Sequence, residues 1–142
     1  MRPELEIEID AVLDSEALSV LARPKERGAS MRRAQVVLEA IHRAGGVPTI
    51  PAPVLAEVVR GRRAAAVDRV VRIGQVVPTD RPIAERAGQL LEGAGLGSAH
   101  AVDAFVVATA ATVGPCVILT GDLEDLGRLA VDLPGVAVRS LR

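Results

Sequence analysis

The stretch Ser98-Ala-His-Ala-Val-Asp-Ala-Phe-Val-Val-Ala-Thr-Ala-Ala-Thr-Val-Gly-Pro-Cys-Val-Ile-Leu-Thr-Gly-Asp122 decides how the rest of the chain is read. Residues 104–121 carry no charge, a run that just reaches the roughly 18 residues expected of a membrane helix. Gly114-Pro115 interrupts it near the middle, and β-branched Val117-Ile118 follow. Gly-Pro stops a helix and opens a new element, so a helix, a turn and a buried strand describe this stretch better than a membrane span. A strand apolar along its whole length belongs in a parallel sheet covered by helices on both faces.

Outward from that stretch the same alternation continues. Leu5, Ile7 and Ile9 alternate with Glu4, Glu6, Glu8 and Asp10, giving a period-two strand that runs on into Ala11-Val12-Leu13. Helical patterns cover residues 15–22 and 30–43, the second closed by Gly45-Gly46. Residues 47–50 read as a strand, and Pro53 suits the first turn of a helix ending near Gly61. Residues 64–73 are helical and 75–77 form a third strand. Asp80 opens a helix that the glycines at 93, 95 and 97 close, and Ser98 begins the next one, through Val113. Asp122 starts a short helix, and residues 136–138 form the last strand. Strands separated by helices predict an α/β fold of three layers, a parallel sheet of about five strands between helices, in one domain spanning residues 1–142. Such sheets bind ligands at the carboxyl ends of their strands.

Composition narrows the function. The chain has 142 residues, 49% apolar, and a net charge of −1 from 17 basic and 18 acidic residues. That balance lacks the basic excess of a passive nucleic-acid binder. Phe105 is the one aromatic residue, so base stacking cannot be the main grip on a single strand. The single cysteine, Cys116, excludes an internal disulfide and a cysteine-built zinc site, which fits a reducing cytosol. The acidic, alternating N-terminus is not a signal peptide.

Four carboxylates stand where chemistry is expected. Asp14 follows the first strand and Asp122 follows the fourth. Each can simply cap the helix it precedes, with Asp125 as the second half of a capping box at Asp122. Asp103 is the sole charge between Ser98 and Val113, and no Arg or Lys occurs from Ala87 to Gly127. A carboxylate on so apolar a helix needs a cation: His100 one turn earlier, a distant arginine, or a bound metal. Glu57 lies on a helix that is apolar apart from itself and Arg60. Pairing of those two at i,i+3 would be worth only a few tenths of a kcal/mol. Together, four acids without a cysteine suit a hard divalent cation such as Mg²⁺ or Mn²⁺.

The segments Val12-Leu-Asp-Ser-Glu-Ala-Leu18, Val54-Leu-Ala-Glu-Val58, His100-Ala-Val-Asp-Ala-Phe-Val-Val-Ala-Thr-Ala110 and Ile118-Leu-Thr-Gly-Asp-Leu-Glu-Asp-Leu126 resemble the four acidic motifs of PIN-domain ribonucleases, in order and in separation. At this size the chain is similar to VapC-type toxins of bacterial toxin–antitoxin pairs. The resemblance implies a Mg²⁺- or Mn²⁺-dependent endoribonuclease of the cytoplasm, with RNA as substrate, a cognate antitoxin as partner and a homodimer as assembly. It implies Asp14, Asp103 and Asp122 as metal ligands, with Glu57 completing the acidic site and Asp125 at a further acidic position. Thr120 and Ser15 match hydroxyl residues that support the ligands. Two departures stand out. Thirteen residues precede Asp14, which makes Asp10 a rival first ligand, and Glu16 occupies a position where small residues are commoner.

Charge is split along the chain. Residues 19–79 carry eleven basic and four acidic residues, for +7, and the remainder amounts to −8. Arg60, Arg62 and Arg63, with Arg32 and Arg33, are therefore candidates to hold RNA phosphates while the acidic region holds metal. Two other classes remain open. One is a PIN-like module that binds RNA or a partner without cutting. The other is a Mg²⁺-dependent phospho-acceptor domain, which normally has a lysine at its site, whereas the one lysine here, Lys25, falls in a loop.

Overall fold

Residues 9–22, 28–61 and 63–141 are described by the computed structural model. Within them the strands are β1 (Asp10–Leu13), β2 (Pro48–Pro51), β3 (Gln75–Val77), β4 (Cys116–Thr120) and β5 (Val136–Ser140). The helices are α1 (Ser15–Ala22), α2 (Gly28–Arg43), α3 (Ala52–Val58), α4 (Arg63–Arg72), α5 (Arg81–Ala94), α6 (Ala101–Val113) and α7 (Leu123–Leu129). The sheet runs β3-β2-β1-β4-β5 with every pair parallel, as the wholly uncharged sequence of β4 predicts. The early part of the expected first strand, Leu5 and Ile7, lies outside the described residues.

From β1 the chain steps outward through β2 to β3, then returns to β4 on the other side of β1 and ends at the far edge with β5. Parallel crossovers are right-handed, so this reversal places the helices before and after it on opposite faces. Helices α1 to α4 pack among themselves, as do α5, α6 and α7, which gives the three-layer arrangement. The core lies between those layers, where Leu13, Leu18, Ile50, Ile118, Leu119 and Leu126 are fully buried. Each such side chain contributes about 1.5–3 kcal/mol by leaving water.

The direction reversal also makes β1 and β4 neighbours, with Leu13 opposite Leu119. A crevice opens beyond their carboxyl ends, and Asp14 and Asp122 are the acids that follow the two strands. At the opposite end of the sheet, a Cβ on Gly46 would overlap the backbone carbonyl of Ile9, so only glycine lets the α2–β2 link pass so close to the start of β1.

Three boundaries differ from the sequence expectation. Helix α3 stops at Val58 because Val59 turns extended, and Gly61 instead takes a left-handed conformation (φ 54°) in the turn leading to α4. Of the three glycines after α5, Gly93 remains helical and Gly95 (φ 68°) ends the helix in the left-handed region. Ser98 begins a 3₁₀ turn that ends at His100, and α6 starts only at Ala101. Helix α6 is 13 residues long, and among the described residues no helix is long and apolar enough to cross a membrane.

Candidate functional site

Asp14 leaves β1 with its N–H still paired to the Leu119 carbonyl at 3.2 Å, so the β1–β4 ladder carries it to the mouth of the crevice. Its carboxylate caps α1 by accepting from the Ala17 N–H at 2.8 Å. It also accepts from the Thr120 hydroxyl and the Gly121 N–H. The side chain is buried, and that burial pushes its carboxyl above the usual carboxylate range. The three donors pull it back, and the nearby Glu16 charge adds to the rise. The Glu16 carboxylate lies against Gly121, where a Cβ would overlap it.

Asp122 caps α7 in the same manner, accepting from the Asp125 N–H at 3.1 Å. Its own N–H donates to Thr120 Oγ1 at 2.8 Å. The fully buried Thr120 therefore links the two strand-end acids, donating its hydroxyl hydrogen to one and accepting from the backbone of the other. With the Asp122 N–H committed to Thr120, the reciprocal half of the expected capping box does not form. The Asp125 carboxylate bonds His100 Nε2 instead, at 3.2 Å.

Asp103 projects from the first turn of α6 and is partly buried. Its carboxyl is pushed up to about 6, first by burial and then by the charges of Asp14, Asp122 and Asp125, against the opposing effect of His100. Asp103, Asp122 and Asp125 each present a carboxylate oxygen, and the three oxygens lie within 4.8 Å of one another. Asp14 stands outside that tight triple, although its charge is the largest of those acting on Asp103. Among the described residues no arginine or lysine pairs with any of these four acids.

Glu57 is exposed and accepts a hydrogen bond from the Ser15 hydroxyl, not a contact with Arg60. Through Ser15 it is tied to the residue next to Asp14, on the side of the crevice formed by α1 and α3. Asp10 sits at the opposite end of β1. It is in register with Cys116 at the start of β4, and its Oδ1 accepts from the Val47 N–H at 2.9 Å. A rival first ligand at Asp10 would be separated from Asp122 by the length of the strand. Arg32, Arg33 and Arg60 are exposed, whereas Arg62 and the side chain of Arg63 lie outside the described residues.

The raised Asp103 carboxyl has a consequence for stability. A group that binds its proton more tightly in the folded than in the unfolded chain stabilises the fold below its unfolded value of 3.8, and that contribution is lost as pH rises through about 6. The metal-free protein should therefore melt at progressively lower temperature as pH is raised across that window. After solvent screening the change is on the order of 1 kcal/mol. Asp103→Asn should flatten the profile in thermal melts, and an unchanged slope in that variant would assign the effect elsewhere.

Residues 11–131 match the PIN domain family model. By sequence, no curated protein matches the chain. Among solved structures the fold is similar to that of VapBC2 from Rickettsia felis bound to a promoter DNA fragment, with a TM-score of 0.65 and 14% identity over 93% of this chain and 98% of that one. It is similar to DNA-bound VapBC from Salmonella typhimurium, with a TM-score of 0.62 and 17% identity over 94% and 99% of the two chains. A toxin–antitoxin complex from Klebsiella pneumoniae gives a TM-score of 0.63 and 23% identity over 90% and 96%. The family match begins in β1 and ends just beyond α7, so it takes in every acid of the crevice, and on that ground the chain belongs to the PIN-domain family.

Proposed function

We propose that this chain is a metal-dependent endoribonuclease and the toxin of a toxin–antitoxin pair. The observation that carries the reading is the triple of Asp103, Asp122 and Asp125, three oxygen donors within 4.8 Å of one another at the carboxyl ends of a parallel sheet. An all-oxygen donor set suits Mg²⁺ or Mn²⁺ in preference to softer metals. Mutual repulsion, visible in the raised Asp103 carboxyl, makes the set costly until a cation offsets it.

Asp103 and Asp122 would hold the cation, with Asp122 on the open side, Asp125 beside them and Asp14 behind them, fixed by Thr120, Ala17 and Gly121. Bound there, the cation would supply a water of lowered pKa and offset the negative charge that builds on a phosphate under attack. Glu57, held by Ser15, would orient a water or take up a proton from it. The exposed guanidinium groups of Arg32, Arg33 and Arg60 would hold backbone phosphates flanking the scissile one. With a single aromatic residue in the chain, recognition would rest on phosphate contacts and RNA shape.

An antitoxin is the partner we propose, by likeness to the toxin–antitoxin complexes, and a homodimer the assembly. A groove of about 440 Å³ between α2 and the β2–β3 end of the sheet, lined by Leu38, His42, Arg43, Val47, Pro48 and Ile73, offers apolar surface for a partner segment.

The test is cleavage of RNA by the purified chain. Cleavage should require Mg²⁺ or Mn²⁺ and should stop when EDTA is added; cutting that persists in EDTA would sink the metal mechanism. In EDTA, binding of uncut RNA should weaken steeply as salt rises, by about one power of salt concentration per phosphate held. Replacing Arg32, Arg33 and Arg60 with glutamine should make that dependence shallower. Binding without cutting under every metal condition would identify a non-catalytic module.

A further inference from the structure

His100 is the last residue of the 3₁₀ turn before α6, one turn ahead of Asp103. Its Nε2 lies 3.2 Å from Asp125 Oδ2 on α7, and the two side chains are 31% and 25% exposed. A carboxylate only accepts, so Nε2 must carry the hydrogen in this bond. The other ring nitrogen, Nδ1, is buried and has no partner among the described residues. The imidazole thus spends its one satisfied bond on the side chain of Asp125, and that bond joins the two helices that carry Asp103 and Asp125.

We infer that His100 is a positioning residue for the acidic triple, a role that rests on the metal reading proposed above. Asp125 feels the negative charge of Asp103 and Asp122, and repulsion alone would turn its carboxylate outward to water. Its backbone N–H is engaged by Asp122, but that contact leaves the Asp125 side chain free to rotate. The His100 bond opposes the rotation. It engages one oxygen of the carboxylate and would leave the other for a cation, which is the ordinary work of a group one step removed from a metal. His100 sits at φ −104° and ψ 18°, in the 3₁₀ turn just outside the regular helix.

Mn²⁺ binding by the full chain, measured by titration calorimetry, tests the inference without relying on activity. His100→Phe keeps the ring and removes the donor, and should weaken Mn²⁺ binding by about tenfold to a hundredfold. His100→Gln places an amide N–H near the position of Nε2 and should stay within about threefold of the wild type. His100→Asn is too short to reach Asp125 and should resemble the Phe variant; this Gln–Asn contrast serves if the Phe variant fails to fold. Thermal melts of the metal-free variants separate loss of fold from loss of the site. The inference is overturned if His100→Phe or His100→Asn binds Mn²⁺ as tightly as wild type, or if His100→Gln binds as weakly as they do. Asp103→Asn keeps the underlying reading distinguishable. Binding lost in that variant but unchanged in every His100 variant leaves the metal site standing and removes the role of His100, whereas no binding by the wild type overturns both.

Discussion

Asp103→Asn should cut RNA cleavage by at least about 10²-fold while raising the melting temperature of the metal-free protein. Both effects follow from one carboxylate. Asparagine keeps the shape and the hydrogen-bonding reach of the side chain but removes a charge that would face the cation, and the loss of such a ligand is expected to lower the cleavage rate by at least about 10²- to 10³-fold. The same charge is a burden when no metal is present, because burial and the charges of Asp14, Asp122 and Asp125 all oppose ionisation of Asp103. Relief on the order of 1 kcal/mol raises the melting temperature of a domain this size by about 2–5 °C. Gel assays of RNA cleavage and melts in EDTA read the two effects separately. Full activity in this variant would remove Asp103 from the mechanism. A lower melting temperature in EDTA would show that its charge is satisfied by something other than a cation. A gain in stability with a loss of function is the usual pattern where a site gathers like charges for chemistry.

Thr120→Val should destabilise the fold by about 2–4 kcal/mol, large for a substitution that conserves volume. The fully buried Thr120 hydroxyl donates to Asp14 and accepts the Asp122 N–H. Valine leaves a buried carboxylate short of a donor and a backbone N–H without its acceptor, and two stranded polar groups cost more than two lost bonds. Thr120→Ser retains the hydroxyl and should lose less than half as much. Thr109→Val is the comparison: Thr109 is also fully buried, but its hydroxyl only returns a bond to the Phe105 carbonyl within α6. Removing a redundant contact of that kind should cost under about 1 kcal/mol. Urea unfolding of the three variants orders them, and equal losses at positions 120 and 109 would contradict the link drawn between Asp14 and Asp122.

Much of this was legible in the sequence because it depends on local pattern. The uncharged run of residues 104–121 yields α6 and β4 through the Gly114-Pro115 break, and the acids after β1 and β4 stand out against it. The adjacency of β1 and β4 is not local. Nothing in Val12-Leu13 or Ile118-Leu119 states which strands they join, since any apolar strand fits any place in a buried parallel sheet. The capping role expected of Asp14 and Asp122 proved compatible with facing the crevice, because one carboxylate can accept from a helix N–H and still present an oxygen outward. The capping box expected at Asp122 and Asp125 fails for a different reason. A capping box is a short-range rule, and here a long-range donor, Thr120, takes the N–H that the rule assigns. The Ser15–Glu57 and His100–Asp125 bonds join residues 42 and 25 positions apart, separations at which no periodicity speaks.

The strand order has a consequence for how the protein comes into being. β1 carries Asp14 at the start of the chain, and its neighbour β4 arrives more than a hundred residues later, at Cys116. Contacts that close so long a loop form late. During synthesis the first three strands and five helices emerge before any of Asp103, Asp122 and Asp125 exists. A growing chain therefore carries Asp14 and Glu57 without the cluster, and acquires the rest only when its last third folds back across β1. With this order of strands the proposed metal site exists only once α6, β4 and α7 have folded against β1.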